Sequence, residues 1–174
     1  QVAEVICDRV KETYRRAYAL GTSPEAAGTF IDLAAKEEDA FLKQFGYYEA
    51  ARLRMVEGNV AQAFAVFAEL RKQVPTSAFT VEEYRTKFDY YLGLGRDGAA
   101  NAGKVATAYR NEAATKLSRG FQAEAQLFLA LAKLARGDVP AEQIKDDVER
   151  VLSEAAGFPL VRQRAMLVKA DLLR

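Results

Sequence analysis

Apolar residues recur at three- and four-residue intervals along almost the whole chain, the signature of helices with one buried face. Val2, Val5, Ile6, Val10, Tyr14, Ala17 and Tyr18 make a first stripe. A second runs through Ala27, Phe30, Ile31, Ala34, Phe41, Leu42 and Phe45. Thr22-Ser23-Pro24-Glu25 opens it with a capping hydroxyl and a proline suited to a first turn, and Gly46 is expected to close it. Val60, Ala63, Phe64, Phe67, Leu70 and Val74 form a third stripe that stops at Pro75. Thr80 and Glu83 stand at capping-box spacing ahead of Val81, Tyr84, Phe88, Tyr91 and Leu92. Further stripes join Ala102, Val105, Ala106, Tyr109, Ala113 and Leu117, then Ile144, Val148, Val151, Leu152 and Ala155. Alternation with period two is nearly absent, so the fold class is all-α, with about nine helices.

Residues 121–135 depart from the one-faced pattern. Leu127, Phe128, Leu129, Leu131 and Leu134 spread around most of that helix, so it needs neighbours on several sides. The pattern also repeats. Gly21, Gly58, Gly95 and Gly137 each follow an apolar helix and precede a second one, at spacings of 37, 37 and 42 residues. An apolar side chain lies three residues before each: Tyr18, Met55, Leu92 and Leu134. Ala26 and Phe30, then Ala63 and Phe67, fall five and nine residues after the first two glycines. The third unit keeps Ala100 but has Lys104 at the second place, and the fourth fits only with two extra residues near Val139-Pro140.

This arrangement resembles the tetratricopeptide repeat, most fully over residues 47–75, where Ala51, Gly58, Ala63, Phe67 and Pro75 stand at the family's marker positions. The resemblance implies one domain over 1–174. Its helix-turn-helix hairpins would stack as a right-handed solenoid, in units of about 1–45, 46–78, 79–119 and 120–157 with a half unit at 158–174. It also implies a groove lined by the first helix of each hairpin, at positions ten and six residues before the turn glycine. Those positions are Lys11, Tyr48, Arg85 and Leu127 in one row, and Arg15, Arg52, Asp89 and Leu131 in the other. The groove so implied is mainly cationic with one tyrosine, and gives way to an apolar patch at Leu127 and Leu131. A surface of that kind suits a protein partner bearing carboxylates, which guanidinium groups hold through paired hydrogen bonds. Lys11 falls where the family's carboxylate clamp has a lysine, but Arg15 replaces its asparagine.

Residues 93–104, GLGRDGAANAGK, spell both a dinucleotide fingerprint and most of a phosphate-binding loop. Both need a strand feeding the loop, whereas the segment before Gly93 has helical spacing, and Val105 stands where magnesium would need a hydroxyl. No nucleotide is expected. The chain has no histidine, which removes the usual base near neutral pH and the commonest zinc ligand. Glu37, Glu38 and Asp39 are consecutive, fan over different helix faces, and are expected to be solvated. Cys7 is the only cysteine, so no internal disulfide forms. Nothing implies a catalytic residue, a cofactor or a metal. A net charge of +1 argues against nucleic acid as partner, and no apolar run is long enough to span a membrane. The start at Gln1 leans to a processed or truncated chain. The expected role is a non-catalytic interaction module, a scaffold or adaptor. The alternative is a structural subunit with broad packing contacts.

Overall fold

The computed structural model describes residues 2–137 and 139–173, and among them the chain is all-helical, with nine α-helices and no strand. Gln1, Asp138, Arg174 and the side chains of Val2 and Ala3 lie outside the described residues. Backbone contacts divide the chain into two compact units, Gln1–Thr80 and Val81–Arg174.

The first unit holds α1 (Val2–Ala19), α2 (Pro24–Lys36), α3 (Ala40–Val56) and α4 (Val60–Gln73). Each helix packs on the next, and α1 also reaches α3. Tyr14, Phe30 and Phe67 are almost wholly buried in the core with Ala26, Ala27, Ala34, Ala50 and Ala51. Each large apolar side chain taken from water contributes roughly 1.5–3 kcal/mol, and the alanines let the helix backbones approach closely. The Tyr14 ring meets Phe30 at 5.2 Å, and Tyr18 sets its edge on the same ring.

One expectation for this unit is corrected. The second stripe is not a single helix closed by Gly46. It breaks at 37–39, where the Glu37 carboxylate accepts from the Glu38 and Asp39 backbone N–H groups. Asp39 then caps α3, accepting from the N–H groups of Phe41 and Leu42. Glu37 and Asp39 therefore serve as backbone acceptors and not merely as a solvated face, because free N–H groups at a helix start need acceptors. Gly46 sits inside α3, where a Cβ would lie 2.4 Å from the Tyr14 hydroxyl and 2.7 Å from Ala34. It is a point of close packing between α1, α2 and α3.

The second unit holds α5 (Thr80–Gly93), α6 (Arg96–Lys116), α7 (Arg119–Arg136), α8 (Ala141–Glu154) and α9 (Pro159–Leu172). Helix α7 has neighbours on several sides, as its apolar pattern demands. Ala125, Phe128 and Ala132 join Tyr84 and Phe88 of α5 and Tyr109 of α6 in one cluster. Ala123, Leu127 and Ala130 join Ile144, Val148 and Val151 of α8 and Val161 and Ala165 of α9 in another. Stacked rings mark the first cluster, Tyr84 on Tyr109 at 4.9 Å and Phe88 on Phe128 at 4.0 Å. Helices α6 and α7, with 21 and 18 residues, are the longest in this unit.

Gly21, Gly58, Gly95 and Gly137 all have φ between 60° and 77°, and no other described residue has a positive φ. Each reverses the chain at a positive φ that glycine adopts without strain. The glycine-rich stretch 93–104 divides between such a turn, at Gly95, and the body of α6. Gly98 has its own reason: a Cβ there would lie 1.9 Å from the Tyr91 carbonyl oxygen.

Candidate functional site

Each unit has an open cleft, between α1 and α3 in the first and among α5, α7 and α9 in the second. In the first unit α1 turns Tyr14 and Ala17 into the core and Cys7, Lys11, Arg15 and Tyr18 outward. Helix α3 buries Leu42, Ala50 and Leu53 while Phe41 and Phe45 line the outer side. The two walls enclose about 660 Å³, lined by Ile6, Cys7, Val10 and Tyr18 with Phe41 and Phe45. Its charged lining residues are Lys11 and Arg15. The surface is strongly apolar, with Ile6 40%, Tyr18 43% and Phe41 42% exposed.

The walls are fixed from behind. The Tyr14 hydroxyl donates to the Leu42 carbonyl at 2.6 Å, and burial above all, with Glu37 adding, pushes that phenol's pKa up. Arg9 of α1 donates to Asp39 at 2.9 Å. Backbone donation from Leu42, then Arg9, holds the Asp39 carboxyl below the usual range. Tyr48 stacks on Phe79 at 4.8 Å. Arg52 donates twice to the Glu49 carboxylate, at 2.8 and 3.1 Å. The Tyr18 phenol is raised by burial and by Glu49, and lowered by Arg52, which places it in the field of that pair. Lys11 has only a loose pairing with Asp8 at 3.9 Å, both well exposed. Arg15 has no ion pair among the described residues.

The second unit's cleft, about 530 Å³, lies among α5, α7 and α9 and is polar. At its floor is Glu124, 2% exposed. Arg85 donates from Nε to Oε1 at 3.0 Å and from Nη2 to Oε2 at 3.0 Å. Tyr109 adds a hydroxyl at 2.7 Å and Arg164 a longer contact at 3.4 Å. Burial, and then Glu124 as acceptor, pushes the Tyr109 phenol up. Arg85 also holds Glu82. Asp89 sits beside this cluster with its carboxyl raised by burial, which Arg164 only partly opposes. Three carboxylates therefore face two guanidiniums, and the charge is almost balanced inside the cleft.

The structure places Lys11, Arg15, Tyr48 and Arg52 on α1 and α3 of the first unit, and Arg85 in the polar cleft of the second. Leu127 does not reach that surface. Leu127 is 1% exposed in the core shared with α8 and α9, and Leu131 is half-buried between both clusters. The α7 residue that faces Arg85 is Glu124, three positions earlier. Counting back from the turn glycine fails there: Arg85 stands ten residues before Gly95, and Glu124 thirteen before Gly137. A signal for Glu124 existed: a lone carboxylate in a helix apolar on several sides is buried and so needs a cation.

Compared with known families, with curated proteins and with solved structures, the chain gives no match. Among the described residues no three His, Cys, Asp or Glu side chains gather as they would around a metal ion, and no helix is long and apolar enough to cross a membrane. The chemistry the two clefts offer is apolar contact, cation–carboxylate pairing and hydrogen bonding.

Proposed function

We propose that this chain is a tetratricopeptide-like interaction module that performs no chemistry and binds a protein partner on the surface of its first helices. One observation carries the reading. The α1–α3 cleft combines large exposed apolar side chains with two cations, Lys11 and Arg15, that no close carboxylate of the unit neutralises. Exposed apolar surface of this kind costs solubility unless something covers it. Nucleotide is left out of the reading, in which Gly95 serves a turn and Gly98 a close approach to the Tyr91 carbonyl.

The test is site-specific photo-cross-linking in source-cell lysate, with a benzophenone-bearing phenylalanine in place of Phe41 or, as control, of the exposed Gln62 on α4. A discrete partner, identified by mass spectrometry and joined at position 41 but not 62, is the expected result. Equal labelling at both positions would remove the cleft from the function. A second reading, a structural subunit with broad contacts, is favoured by α9 and its C-cap, where Leu160, Met166, Leu167 and Leu173 are 49–75% exposed. It predicts instead that cross-links concentrate at Leu167.

A further inference from the structure

Resting on that reading, we propose that the α1–α3 cleft receives an acidic amphipathic helix of a partner protein. The occupant's apolar side chains would seat on Ile6, Val10, Phe41 and Phe45, and its carboxylates would meet Lys11 and Arg15. The walls give the shape. Ile6 and Val10 on α1, and Phe41 and Phe45 on α3, are each four residues apart. Both walls thus repeat their apolar groups at one helical turn, a spacing matched by an occupant whose own apolar groups recur every three or four residues. A cleft of about 660 Å³ has room for more than one large side chain.

Charge selects the occupant. Lys11 and Arg15 are also one turn apart, on the same wall, and so address carboxylates one turn apart on a facing helix. Three other cations of the unit are already engaged: Arg9 with Asp39, Arg52 with Glu49, and Arg54 with Glu57. The chain's own exposed apolar helix fits poorly. Helix α9 carries Arg162, Arg164 and Lys169 against Asp171, with Arg164 paired to Glu124 and Lys169 to Glu149, so a second copy docking through α9 would bring Lys11 and Arg15 no surplus of carboxylates. A lipid surface is flat, whereas these apolar groups line a recess between two helices.

Cys7 lines the cleft, is exposed, and is the only cysteine of the chain, so its alkylation rate reports occupancy directly. The probes are two fluorescent helical peptides with the same leucine face, one flanked by glutamates and one by lysines. The expected result is that the glutamate peptide binds at least about tenfold tighter by anisotropy and slows Cys7 alkylation. In Lys11→Glu/Arg15→Glu, two attractive pairs become two repulsive ones, and the preference inverts while circular dichroism is unchanged. Phe41→Asp, at an exposed position, abolishes binding of the glutamate peptide. Equal affinity for both peptides, binding that leaves Cys7 unprotected, or a preference that survives charge reversal overturns the proposal. So does protection of Cys7 by anionic phosphatidylserine vesicles, or by rising protein concentration, when the glutamate peptide gives none. Failure here with the position-41 cross-link intact rejects the acidic helix and leaves the interaction module standing. Failure of both rejects the module as well.

Discussion

The two units use the same kind of surface in opposite ways. In the second, Arg85 and Arg164 close on Glu124, and the cleft among α5, α7 and α9 is neutralised from within. In the first, Lys11 and Arg15 face an apolar recess with little to neutralise them. A cation bound to a buried carboxylate holds helices together, because separating the pair strands a charge away from water. One left in solvent adds little to stability, and its attraction remains open to whatever arrives. The sign of a side chain says little about its role; the place of its counter-charge says more.

The largest expected effect tests the closed side of that contrast. Arg85→Ala leaves Glu124 buried with Tyr109 and the distant Arg164, and should cost about 3–5 kcal/mol in urea unfolding. A loss below about 1 kcal/mol would mean that the pair does not organise the second unit. Next, Gly46→Ala forces a methyl against the Tyr14 hydroxyl and Ala34. It should lower stability by about 1–3 kcal/mol by the same measurement. In the second unit Gly103→Ala meets only Ala132, at 3.9 Å, and should raise stability by about 0.5–1 kcal/mol through helix propensity alone.

The units are alike in alkali and differ in acid. Tyr14 and Tyr109 each have a folded pKa raised above the usual value of about 10. The unfolded chain therefore gives up these protons first. Their stabilisation is whole below about pH 10 and is lost as pH climbs above it, in both units, which thermal melts from pH 9 to 11 should register. Asp39 has the opposite sign. Its depressed pKa contributes stability that is whole above the ordinary aspartate range and fades as pH falls through it. Asp39→Ala should thus lower the melting temperature at pH 7 and matter little near pH 2. The smallest effect belongs to the open side: Lys11→Ala and Arg15→Ala should each move stability by no more than about 0.5 kcal/mol. A larger loss would give them a structural role and erase the contrast.

The turns were legible in the sequence because glycine is the residue that accepts a positive φ, and four glycines announced four reversals. The break at 37–39 was not. It is made by Glu37 and Asp39 as backbone acceptors, and acidic residues in a helical pattern read equally well as a wet surface. Gly46 misled for the converse reason, since there glycine serves closeness to Tyr14 and not conformational freedom. Arg85 could be placed by counting, but its partner could not. The offset of about one helical turn between α5 and α7 depends on how the two helices pack, which the glycine spacing of 42 residues does not record. What divides the clefts was hidden for a deeper reason: whether a cation has a counter-charge nearby depends on helices distant in sequence.

The four turn glycines carry one more consequence, and it concerns chirality. At Gly21, Gly58, Gly95 and Gly137 an added Cβ would find nothing within 4 Å, so what bars a side chain there is handedness and not room. An L-alanine would be strained by its backbone. A D-alanine, introduced by chemical synthesis, prefers that very quadrant of φ and would also restrict the unfolded chain. At these four reversals the sign of φ suits the mirror-image residue that ribosomes do not supply, and glycine, which has no hand, takes the position.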